Sequence, residues 1–363
     1  MLSRLLVLFS VVALFCTSNA FAQRGGRGSG PADANARKLS ALQTKEIQAA
    51  IKLVDDAVAG QPMPNDLSLA WVRSDALKAT DSKQYVPFIV SIDRAKLSAN
   101  ASLYWRVVDR AAPAAPPPAP AADGKKQDDK KPAPRPIYPY EDINTDALPA
   151  SAPDGTGSGR ISRSFTVPGG EYDVYVLVKE PVTDKKGAPA PKVSIIKQTV
   201  TVPDFWNGEL NTSSVIVAER IDPLPAPLSP QQQAERPYAL GPMELVPTNE
   251  TRFAKKSELQ PFLLIYNPKT DAANKPDVFV EFNFFTKDAA GVEKAFNHTA
   301  PQSLNASTLP PQFDFAAGHQ LQTGQAIPLA SFPEGSYRLE IKVTDKLANK
   351  SLTRDVNFSV TGS

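Results

Sequence analysis

Among 363 residues there is one cysteine, two histidines and three methionines. A single cysteine excludes an intrachain disulfide and a thiolate zinc cluster. The histidines, His298 and His319, stand far apart in loop-like surroundings with no H-E-x-x-H spacing, which leaves no pattern for histidine-ligated metal chemistry. Neither charge prevails. Forty Lys+Arg face 38 Asp+Glu, a formal +2, so no strong field recruits nucleic acid or an anionic membrane. Nor is there a hydrophobic run long enough to cross a bilayer. What is abundant is proline, 35 residues against 19 glycines. That content is too high for a mostly helical protein and too aperiodic for collagen. The length accommodates two or three domains of about 100–200 residues each.

Residues 1–22 read as a secretory signal peptide. Arg4 supplies the positive start, the apolar stretch from Leu5 to Phe15 is broken only by Ser10, and Ala20-Phe21-Ala22 offers small residues at both positions a signal peptidase reads. Cleavage after Ala22 removes Cys16 and leaves a mature chain that does not span a membrane. A lipoprotein anchor on Cys16 is the rival, but it needs a small residue where Phe15 stands. A secreted chain without cysteine points to the bacterial periplasm or exterior, since small eukaryotic extracellular domains usually carry disulfides. Seven N-x-S/T triplets begin at Asn100, Asn211, Asn249, Asn297, Asn305, Asn349 and Asn357. As glycan acceptors they would argue for eukaryotic export; we read them as turn composition, because these residue types gather in turns.

A Gly- and Arg-rich leader occupies 23–32. From 33 to 60, Leu39, Leu42, Ile47, Ile51, Val54 and Val58 recur at helical spacing before Gly60 and Pro62, which predicts one amphipathic helix. The rest reads as strands with period-two alternation, as in Val278-x-Val280-x-Phe282-x-Phe284 and Tyr337-x-Leu339-x-Ile341-x-Val343. The strand region occurs twice. The P-x-G-x-Y step of Pro168, Gly170 and Tyr172 returns at Pro333, Gly335 and Tyr337. Upstream, Tyr85-Val86-Pro87-Phe88-Ile89-Val90 corresponds to Leu259-Gln260-Pro261-Phe262-Leu263-Leu264. The expected fold class is therefore all-β, two tandem immunoglobulin- or fibronectin-like sandwiches at 66–204 and 241–363, with an N-terminal helix and disordered Pro-rich segments. The first copy is longer between its markers because of 111–136, with eight prolines, which takes the place of a short turn after Lys287. It reads as an extended solvated loop, either an arm reaching a partner or a tolerated insertion at a hairpin tip. Residues 205–240 read as a linker, with an edge strand at 209–220 and a Pro-rich tether running on to 247.

Candidate sites are few. Gly170–Tyr172 and Gly335–Tyr337 match a tyrosine corner, with glycine chosen for positive φ; this is architecture. Asp142, Asn144 and Asp146 match the first positions of a calcium loop, but Ala147 and Pro153 stand where the turn glycine and the bidentate glutamate belong. Ser158 between glycines lacks the strand-to-helix setting of a nucleophile elbow. No cofactor pattern and no catalytic constellation emerges. Trp206, Tyr138 and Tyr140 are the aromatics suited to holding a sugar ring, against the alternative that Trp206 packs at a domain junction. Trp71 and Trp105 belong to core strands.

The second copy, through Pro333–Val343, the Asp345-Lys346 turn and the closing Asn357-Phe358-Ser359-Val360 strand, resembles the C-terminal sandwich of secreted bacterial proteins with a GWxTD-type domain. The GWxTD sequence itself is absent here. That resemblance implies fold and secretion and brings no catalytic residues. The expectation is a non-enzymatic module contacting another protein at the cell envelope, with a glycan-binding accessory protein as the alternative.

Overall fold

The structure is a computed structural model and describes residues 41–111, 136–149, 158–182, 187, 189–287 and 291–362. The expectations for the signal peptide, the leader and the start of the helix, and for 112–135 of the insertion, lie outside these residues. The described residues are all-β with one long helix. Helix α1 (Ala41–Val58) is followed by eight strands: β1 (Ala70–Ser74), β2 (Leu77–Lys78), β3 (Gln84–Asp93), β4 (Ala101–Asp109), β5 (Tyr140–Leu148), β6 (Ser158–Val167), β7 (Gly170–Lys179) and β8 (Val193–Val202). Thirteen more follow: β9 (Asn211–Thr212), β10 (Ile216–Pro223), β11 (Ala239–Leu240), β12 (Met243–Pro247), β13 (Arg252–Ala254), β14 (Glu258–Tyr266), β15 (Val278–Lys287), β16 (Glu293–His298), β17 (Gln302–Leu304), β18 (Leu321–Gly324), β19 (Ile327–Pro328), β20 (Gly335–Asp345) and β21 (Lys350–Thr361). A six-residue helix α2 (Pro230–Glu235), closed by a Ser229/Gln232 capping box, lies between β10 and β11.

The duplication is a duplication of topology. In the first sandwich β3 pairs with β1 and β6 in one sheet, while β4, β5, β7 and β8 form the other in the order β5-β4-β7-β8. In the second, β14 pairs with β10 and β18, and the facing sheet runs β13-β21-β20-β15-β16. Both arrangements are those of fibronectin-like sandwiches. The insertion falls between the paired strands β4 and β5, whose counterparts in the second copy are the paired strands β15 and β16.

The sheets stack into more than two sandwiches. A first core lies between the sheets of copy one, around Phe88, Trp105 and Phe165. A second lies within copy two, around Phe282, Phe284 and Ile341. A third joins the copies: Leu77, Tyr85 and Ile89 pack against Ile216, Tyr238, Phe262 and Leu264. A fourth seats α1 on the outer face of β4, β7 and β8 through Ala50, Val54, Tyr175, Leu177 and Ile195. The order of layers is thus helix, sheet, sheet, sheet, sheet.

Two expectations are corrected here. The segment from 205 through the tether is not a linker. It supplies β9 to β12 and α2, and its Tyr238, Leu240 and Leu245 are buried in the third core. The strand read at 209–220 is not an edge either, because β10 pairs with β12 on one side and β14 on the other. Prolines permit this because Pro223 and Pro247 stand at strand ends, where no ladder N–H is required.

The helix ends as its sequence predicts. Gly60 has φ +88°; the Gln61 and Gly60 amides donate to the Asp56 and Ala57 carbonyls, a Schellman motif. No described helix is long and apolar enough to cross a membrane.

Candidate functional site

The residues singled out by sequence fall in separate places. Tyr172 and Tyr337 donate their hydroxyls to the carbonyls of Pro168 (3.0 Å) and Pro333 (2.7 Å), making two tyrosine corners. Their glycines differ. Gly335 has φ +154°, whereas Gly170 is not in the positive-φ region; a Cβ there would stand 3.3 Å from the Tyr172 hydroxyl. Close approach, not positive φ, accounts for Gly170.

Of the aromatics offered to a sugar ring, Tyr140 is withdrawn. It is buried in the first core, its ring 6.4 Å from that of Trp105, and burial raises its pKa far above the usual phenol value. Tyr138 lies over the Arg106 guanidinium at 4.2 Å. Trp206 sits at the junction of the copies. Its indole N–H donates to the Lys83 carbonyl (3.0 Å), and the Lys78 ammonium lies 4.3 Å from its ring centre, yet the residue stays 43 % exposed.

Asp142, Asn144 and Asp146 lie in β5. Alternate residues of a strand stand about 7 Å apart, whereas a calcium loop gathers its oxygens at about 2.4 Å from one ion. The Asp142 carboxylate instead accepts from the Ile143 amide (2.8 Å). Among the described residues no three His, Cys, Asp or Glu cluster as metal ligands. His319 Nδ1 accepts the Asp314 amide (3.0 Å), a loop-holding role.

One group of polar residues missed by sequence reasoning lies at the junction. Asp75, 3 % exposed, accepts both Nε and Nη2 of Arg73 (2.8 and 2.6 Å) and the Tyr238 hydroxyl (2.7 Å). Arg73 also donates to the Thr248 carbonyl (2.9 Å). Burial is the largest influence and works against the Arg73 charge, but the Asp75 bond, the Asp75 charge and Tyr238 together outweigh it and the pKa is raised. Tyr238 is pushed well up by burial and by the Asp75 charge. The Tyr85 hydroxyl donates to the Pro237 carbonyl (3.0 Å), and burial lifts its pKa to about 12. Tyr266 accepts the Lys78 amide (3.0 Å). These are ties between the copies.

Beside them is a cleft of about 500 Å³. It opens where Pro203 and Phe205 leave the first copy and where the chain breaks from β9 to β10 at Thr212–Val215. Its far wall is Arg354, Asp355 and Val356 of β21. On β21 the even-numbered Phe358 and Val360 enter the second core, with Leu352 and Val356 packed against it. Arg354 shares that parity, so it points between the sheets. Its Nη2 donates to Asn211 Oδ1 (2.7 Å) and its Nη1 to the Thr353 carbonyl (3.0 Å). Burial lowers its pKa, and among the described residues no carboxylate pairs with it. The neighbouring Asp355 is held by Arg338 (2.7 Å). Across the cleft, Thr212 is 2 % exposed and its hydroxyl has no hydrogen-bond partner. A guanidinium without a carboxylate and a hydroxyl without a partner are groups that recognise an anion.

No protein-family model and no curated protein matches the chain. Among solved structures it is similar to Escherichia coli alpha-2-macroglobulin activated by porcine elastase, at 12 % identity and a TM-score of 0.19. The match covers 83 % of this chain and 22 % of that one.

Proposed function

We propose that the chain is a non-enzymatic interaction module of the bacterial cell envelope, exported to the periplasm or beyond, which presents a rigid β scaffold to another protein. The observation that carries this reading is the third core. It consumes the outer faces of two sheets and locks the copies together with buried ties, as a spacer or docking platform requires and as a pair of flexibly tethered beads would not. The displaced pKa values of Arg73, Tyr85 and Tyr238 fit the same reading, because these groups hold strands together in the interior. Crosslinking in intact cells followed by affinity capture from the envelope fraction tests it. A reproducible protein partner is expected; a monomer with none overturns the reading.

A second reading, glycan recognition, is favoured by the exposed part of the Trp206 ring. On a glycan array it requires binding that Trp206→Ala abolishes.

A further inference from the structure

The cleft lies along an open sheet edge. β21 pairs with β20 in unbroken register from Lys350 to Val360, but β13 covers its other side only at Ser359–Thr361. The Ser359 amide points away from β20, donating to the Thr251 carbonyl. By period two, the backbone groups of Ser351, Thr353, Asp355 and Asn357 face the same way, and among the described residues no strand pairs with them. The free edge therefore ends at Thr251 on one side. On the other it ends near the Lys350–Glu209 ion pair (2.6 Å).

We propose that this edge and cleft dock an extended acidic peptide segment of a partner protein, which adds to β21 as a further strand and sets one Asp or Glu carboxylate between Arg354 and Thr212. This rests on the interaction-module reading and names the chemistry of its partner. Three observations converge. The edge offers ladder donors and acceptors over about seven residues, a usual length for strand addition; the Thr353 carbonyl among them also accepts Arg354 Nη1 and keeps its second lone pair for the ladder. Arg354 has five N–H donors, and the two bonds it makes go to neutral acceptors, so the fork remains open to a carboxylate. Thr212 supplies a buried hydroxyl across the same cleft, for which a carboxylate oxygen is the missing acceptor. A rival role exists for the arginine: inward-pointing charges on edge strands prevent unwanted pairing. The two roles make opposite demands on the incoming peptide.

The test uses the full chain and a fluorescein-labelled strand peptide, Thr-Val-Thr-Glu-Thr-Val-Thr, with its Gln counterpart, followed by fluorescence anisotropy. The Glu peptide is expected to bind at least about tenfold more tightly than the Gln peptide at low salt, as a charge-assisted pair in a partly buried cleft requires. Arg354→Met should bring the two affinities together. Thr212→Val, nearly isosteric, should weaken the Glu peptide by about threefold with an unchanged melting temperature, which keeps the test valid if Arg354→Met does not fold. Hydrogen exchange should slow at 351–357 in the complex. Equal affinity for the two peptides, no binding of either, or tighter binding of both to Arg354→Met overturns the proposal. The last result assigns Arg354 to edge protection alone. Envelope capture that succeeds equally with wild type and Arg354→Met would refute this site while leaving the module reading intact.

Discussion

Tyr172 and Tyr337 perform one task in two different local settings. Each hydroxyl bonds the carbonyl four residues back and ties a strand to the turn that precedes it. Both accepting prolines lie at the surface, so water replaces the lost donor when the hydroxyl is removed. Tyr172→Phe and Tyr337→Phe should therefore each cost about 1 kcal/mol, the net worth of an ordinary hydrogen bond, and not the larger penalty of a stranded buried carbonyl. Because the corners belong to different cores, the double variant should be additive. The glycines separate the settings. Alanine at Gly335 must adopt φ near +154°, a backbone cost independent of its tyrosine. Alanine at Gly170 presses on the Tyr172 ring and hydroxyl. Gly335→Ala should destabilise equally with Tyr or Phe at 337, whereas Gly170→Ala and Tyr172→Phe should couple. Urea denaturation of these two double-mutant cycles checks the point; equal coupling in both would remove the distinction.

At the scale of elements, the repeated strands show how a sequence records what covers a sheet. β7 and β20 share one template, yet Tyr175 and Leu177 stand where β20 has Glu340 and Lys342. Tyr175 and Leu177 lie under α1. Glu340 pairs with Arg338 (3.2 Å) and Lys342 with Glu281 (3.4 Å) on an open face. In the same way β3 and β14 are apolar on both faces, because the opposite side of each is the third core. This is how much was legible. Two sandwiches and their corners follow from period two and the repeated Pro-x-Gly-x-Tyr step. The continuous runs VPFIV and PFLLIY also carried the mark of a second covered face, since strands wetted on one side alternate. What covers them was not legible, because Tyr238 and Leu245 come from a segment whose prolines read locally as a tether. The cleft was illegible for a related reason: Arg354 and Thr212 are 142 positions apart and meet only through sheet packing. Helix α1 has a further anchor in each direction, Lys179 to Glu46 (2.5 Å) and Arg106, fully buried, to Asp55 (2.5 Å). Val54 is fully buried between these anchors. Val54→Asp places an unpaired charge there and should cost at least about 3 kcal/mol. The expected outcome is loss of exchange protection in α1 and new binding of a hydrophobic dye, with β20–β21 amides unchanged. Protection retained in α1 would show that the two ion pairs alone hold it.

For the whole molecule, the third core decides whether the copies unfold separately or together. A Pro-rich tether would give two independent transitions. A shared apolar layer laced by the Arg73–Asp75–Tyr238 network gives one, because opening either copy exposes the layer and breaks the bonds from Tyr238 to Asp75 and from Arg73 to the Thr248 carbonyl. Removing a single partner from a buried ion pair costs about 3–5 kcal/mol, so Asp75→Ala should lower stability on that scale and resolve the single melt into two. Alkali should act on the same layer. Burial is the main cause of the raised pKa values of Tyr85, Tyr238 and Tyr266, so in the fold these phenols resist losing a proton that the unfolded chain releases at about pH 10. Their contribution is fully present below pH 10 and is lost as pH rises towards and through the folded values, of which that of Tyr85 is about 12. Phenolate absorbance should therefore lag behind that of free tyrosine, and the junction tyrosines should titrate in a cooperative step that coincides with loss of tertiary circular dichroism. Tyr238→Phe deletes one of the phenols in that step and should shrink it. Simple titration of all nine tyrosines near pH 10, with the tertiary signal intact, would mean that the junction is wet and that the copies are not locked.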